Sequence, residues 1–193
     1  MNQLKDMINY LGGNYFILEF INENSTTVRD LYLPSILYTK ESIMNSETLT
    51  TEEAIQGIQK IDSMNQLVKD IFDVPQINLI MVHVINEIIE RMEGIREELT
   101  KGNLLSIILN NNRPNPTLLT REYELNEITN FVYKESINAF IENALDLNNP
   151  SENDIYIVGA IKNIFSYNLI NKMCVDTIDL FDTYIFKRFE EIK

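Results

Sequence analysis

The chain has 193 residues, 45% of them hydrophobic, with 29 acidic and 16 basic side chains and a net charge of −13. A chain of this length can bury most of its apolar surface without disulfides or metals, and its single cysteine, Cys174, excludes an internal disulfide. The excess of carboxylates argues against direct binding of DNA or RNA and of anionic membranes, and points to solubility or to a basic protein surface.

The first residues, MNQLKDMINYL, lack a basic region followed by an apolar core, so no signal peptide is expected. The longest apolar runs, such as LIMVHVI, fall far short of the ~20 residues of a membrane span. The expected location is cytoplasmic or intracellular, or the virion if the source is a virus. The 28 Ile and 24 Asn against 4 Ala, with 10 Lys against 6 Arg, suggest an A/T-rich gene, as in a phage, another virus or a low-GC bacterium.

In chain order, a short helix is expected over 2–11, stopped by Gly12-Gly13. YFILEFI at 15–21 reads as a buried strand or a further helix, because a short apolar run has no diagnostic period. Residues 28–44, with Pro34, suggest short helices or irregular chain, so 14–36 is a candidate for minor β or irregular structure. The helix over 51–74 carries apolar residues at 55, 58, 61, 64, 68 and 71, with Thr50 and Glu53 spaced as a capping box.

Pro75 suits the first turn of a second helix, which pairs with the first as a hairpin over 51–101. Its stripe is Ile77, Met81, Val84, Ile88, Met92, Ile95 and Leu99. His83, the only histidine, falls on the opposite, polar side with Glu87, Glu90, Gly94 and Glu97, and Glu87 at i+4 is its natural partner. Gly102 closes that helix. The arm at 102–119 contains apolar LLSIIL and the loop NNNRPNP, and its 103–118 portion is β-capable or irregular. A helix is expected from Thr120 to about Leu147. NNPS at 148–151 breaks it, with Ser151 as N-cap and Asp154 three residues on. From Glu152 to the end the stripe continues as one long helix or two collinear ones, bending at Asn168 or Asn171. Cys174 lies among its packing residues and reads as a small buried hydrophobe.

Together these features predict an all-α, single-domain helical bundle of about four to six helices over 1–193. Residues 1–50 form an irregular N-terminal part and residues 120–193 the C-terminal helices.

Catalytic equipment is sparse. Cys174 on a packed stripe and His83 on a wet face are not expected to meet, and no GxSxG marks a serine nucleophile. Structural zinc and the Glu-x-x-His di-metal site lack ligands. EYE at 122–124 and ERMEGIREE at 90–98 supply carboxylates whose positions face solvent. The six glycines form no phosphate loop, and YIFKRF at 184–189 has too few basic residues for a nucleic-acid site.

No catalytic, cofactor or metal residue is therefore assigned, and no cofactor is expected. The expectation is a non-enzymatic interaction or assembly protein, such as a viral or phage structural or connector component. It would act through a protein partner or self-association. The alternative is an acidic antagonist covering a basic surface on a host or nucleic-acid-binding protein. A carboxylate and metal-dependent enzyme is the third reading. Contact residues are sought at Leu104, Leu105, Ile107, Ile108, Leu109 and Arg113 of the arm and at Glu87, Glu90 and Glu97 of the acidic face.

Overall fold

The computed structural model describes residues 3–91, 122–145 and 148–192. The arm at 102–119, its contact residues Leu104, Leu105, Ile107, Ile108, Leu109 and Arg113, and Glu97 with the end of the second predicted helix lie outside the described residues.

The described residues are all-α, without strands. Seven helices of nine residues or more and one of a single turn follow in order: α1 (Gln3–Leu11), α2 (Asn14–Ile36), α3 (Glu41–Met44), α4 (Thr51–Ile71), α5 (Val74–Arg91), α6 (Glu122–Ala144), α7 (Glu152–Ile164) and α8 (Tyr167–Ile192). The number slightly exceeds the four to six expected.

α1 ends where the sequence requires it. Gly12 and Gly13 take φ of 128° and 64°, the left-handed region that side chains disfavour. For 15–21 the helix alternative holds, and the minor β or irregular reading of 14–36 is corrected: the segment is one helix of 23 residues, so residues 1–50 are more regular than expected. Phe16, Phe20, Ile21, Val28 and Tyr32 are buried on its inner side. Pro34 lies in the last turn, where it forgoes an N–H bond to the Asp30 carbonyl, and Leu37 N–H still reaches Leu33 O at 3.3 Å.

α5 lies at the centre, packed against α2, α6 and α8. Ile77, Ile80, Met81, Val84, Ile85 and Ile88 are buried on it, a wider arc than the single stripe expected. Asp73 caps it, its carboxylate accepting Gln76 N–H at 3.1 Å, with Pro75 in the first turn. Aromatic rings tie α2 to α8: Phe20 meets Phe181 at 4.9 Å and Tyr184 at 5.3 Å. The Tyr32 hydroxyl donates to Asp176, which Lys172 also holds at 2.5 Å.

Ser151 and Asp154 form the expected box at the start of α7. The C-terminal stretch is two helices, but the break falls at Phe165-Ser166 and not at Asn168 or Asn171. Ser166 Oγ accepts Leu169 N–H at 3.3 Å and starts α8. Phe165, fully buried, stacks on Phe140 at 4.2 Å and meets Phe72 at 5.4 Å. The chain breaks where a ring enters the core.

Candidate interaction surface

α4 differs from the other long helices. It is amphipathic as expected, yet Val68 is its one fully buried residue, and Ile55 is 52% exposed. Of the apolar positions expected at 55, 58, 61, 64, 68 and 71, only Val68 is fully buried, and 55, 58, 61 and 64 stay out of the core. The cause lies in what α4 packs against. Among the helices α3 meets it most, and the linker before α3 touches it at Asp62 and Asn65.

That neighbour is held by specific contacts. Asn65 clasps both backbone groups of Tyr38, accepting its N–H at 2.8 Å and donating to its carbonyl at 3.0 Å. Lys40 pairs with Asp62 at 2.6 Å. α3 then lies over Gly57, where an added Cβ would stand 3.0 Å from Ile43 Cδ1. The base of α4 is anchored by Val68 and by Phe72, whose carbonyl accepts Arg29 Nε–H at 3.0 Å.

At about 100° per residue, the order around α4 runs from Gly57 through Ala54 and Ile61 to Ile58 and then Ile55. The linker crosses at Asp62 and Asn65, and α3 covers the Gly57 side. Ala54 and Ile58 stay half-covered between them, with Ile55 open beside them. Met44 on α3 is 70% exposed and Leu49 42%. Thr50 opens α4 with the expected box: its Oγ1 accepts Glu53 N–H at 3.3 Å, and the Glu53 carboxylate accepts Thr50 N–H at 2.8 Å. The Thr50 backbone and hydroxyl hydrogen bonds hold the Glu53 carboxyl below its usual range.

The acidic face expected on α5 is corrected in part. Glu90 is exposed. Glu87 is buried, its carboxylate accepting Arg91 Nε–H at 2.9 Å, with Glu127 of α6 at 4.0 Å from Arg91 Nη1. α6 covers this shoulder of α5. His83 is only half-exposed there, its ring edge-on to Phe131 with centroids 6.3 Å apart, and the Glu87 carboxylate is held by Arg91.

Cys174 is fully buried, and burial pushes its thiol up to about 12 against a hydrogen bond from Thr129. Asn171 Nδ2 of α8 donates to the buried Thr129 Oγ1 of α6 at 3.1 Å, and Ser136 and Thr177 are also fully buried. A cleft of about 270 Å³ opens beside Ser35, Tyr38, Asn163 and Ser166, and among the described residues no carboxylate, histidine, lysine or cysteine lines it. Among the described residues no three metal-ligating side chains cluster, and no helix is long and apolar enough to cross a membrane.

Sequence reasoning missed the Asn65 clasp and the Ile43–Gly57 contact. A glycine inside a helix was the available signal for close approach. The chain matches no family model, no characterised protein sequence and no solved structure.

Proposed function

We propose that this chain is a non-enzymatic protein–protein interaction or assembly protein. The observation that supports the reading most is α4: a capped helix of 21 residues whose apolar stripe is left half-covered among the described residues. A helix with an apolar side gains most of its stability by burying it, so a partner that covers the stripe adds binding free energy. The A/T-rich residue bias supports a virus, phage or low-GC bacterium as the source, where the chain would act inside the cell or in the particle as a structural or connector piece. The alternative reading, an acidic antagonist of a basic surface, is supported by the −13 charge.

Two measurements test the reading. Sedimentation of the chain with its co-expressed neighbours should give a defined complex or oligomer. Thermal melting in Mg²⁺, Mn²⁺ and Ca²⁺ should leave the midpoint unmoved. A midpoint that climbs with metal concentration overturns the reading in favour of a carboxylate-based metalloenzyme.

A further inference from the structure

The half-covered stripe of α4 sits in an unusual electrostatic setting. Residues 41–59 contain four glutamates, at 41, 47, 52 and 53, and no lysine, arginine or histidine. All four are exposed. The cations that border the stretch are Lys40, engaged with Asp62, and Lys60, one turn beyond Gln56. Within the same stretch stand Met44, Leu49 and Ile55, each 42% exposed or more, with Ile58 half-covered beside Ile55. An apolar ridge at Ile55 and Ile58, with Met44 and Leu49 exposed in the chain before it, thus lies in a stretch whose own charged side chains are all carboxylates.

Such a face selects its partner by charge. A second copy would set four glutamates against four glutamates, and like charges across an interface disfavour association. A segment with leucine-like residues on one side and lysine or arginine on its flanks covers the ridge and meets the carboxylates at the rim. We propose that the α3–α4 end is a docking face for a basic amphipathic helix of a partner protein; this rests on the interaction reading above and names its surface and partner chemistry. The apolar ridge supplies the contact. The glutamates accelerate encounter and reject acidic partners.

The probe is a synthetic helical peptide with leucines on one face and lysines on the other, read by fluorescence anisotropy against the full chain. A second peptide keeps the leucines and replaces each lysine with glutamate. The basic peptide should bind, more weakly as salt rises, and the acidic peptide should not. Ile55→Ser and the pair Glu47→Gln with Glu52→Gln should each weaken binding about tenfold. The control pair Glu152→Gln with Glu190→Gln removes the same charge elsewhere and should leave binding within twofold.

Equal weakening by the control pair, or unchanged binding in the Ile55 and Glu47/Glu52 variants, overturns the docking face while leaving an interaction protein intact. A dimer of the unliganded chain that Ile55→Ser dissociates overturns it in favour of a second copy. Failure of every form to bind either peptide, with a monomeric mass and no complex, sinks the broader reading as well. Circular dichroism of each variant separates loss of the face from loss of fold.

Discussion

Thr50 and Ser151 each hold a helix start by the same reciprocal pair of hydrogen bonds, and each has a carboxylate three residues on that accepts in return. Those bonds, backbone first and then side chain, hold Glu53 and Asp154 below the usual carboxylate range. A folded-state pKa below the unfolded one adds stability above the unfolded value and loses it as pH falls through the folded value. Acidification below about pH 4 should therefore fray the first turns of α4 and α7 ahead of the core, seen as faster amide exchange there. Thr50→Ala and Ser151→Ala should each lower the neutral-pH melting temperature by a few degrees and flatten that acid-side loss. Cys174 behaves in the opposite sense. Burial raises its thiol to about 12, so at neutral pH the nucleophilic thiolate is scarce and enclosed. A thiol reagent should label it only as fast as the protein opens, and denaturant should speed labelling in step with unfolding. Rapid labelling of the native protein would contradict that enclosure.

At the scale of the element, α4 separates two kinds of apolar residue. Phe72, at its foot, is fully buried against Phe165. Phe72→Ala should cost about 3–5 kcal/mol in chemical denaturation. Ile55, with half its surface in water, should tolerate Ser within about 0.5 kcal/mol. A large loss at Ile55 would mean that its side chain is needed by the fold. The contrast also shows what was legible beforehand. The caps at Thr50 and Ser151 and the first-turn place of Pro75 were readable because a helix start is decided within four residues. α2 was not, because Tyr15, Leu18 and Leu31 are apolar yet exposed and fill the gaps between Phe16, Phe20, Val28 and Tyr32, so the helical period is drowned. The break at Phe165 was hidden by apolar steps at 161, 165 and 169 that run straight through it. The open face of α4 was invisible for a different reason: amphipathicity says which side seeks burial, not whether the same chain supplies a cover. Glu87 was misplaced because only the arrival of α6 decides that a shoulder of α5 is buried.

On the scale of the whole molecule, the −13 charge acts against compactness, since folding brings the carboxylates closer together than they are in the open chain. The ion pairs of the described residues offset this only locally. Lys40–Asp62, Lys172–Asp176 and Arg188–Glu19 each leave one or both partners substantially exposed, and such pairs contribute about 0–1 kcal/mol. Repulsion among the remaining acids should then dominate the salt response. Raising ionic strength from about 0.01 M to 0.15 M shortens the screening distance from about 30 Å to 8 Å, which weakens long-range repulsion more than it weakens pairs in contact. The melting temperature should accordingly rise with added NaCl at neutral pH and level off near physiological salt. The same salt that steadies the fold should loosen a basic ligand from the α3–α4 end, so the two effects carry opposite signs in one titration. A melting temperature that falls on adding NaCl would show that attractive pairs outweigh the repulsion, and the acidity would then serve the fold more than its encounters with other proteins.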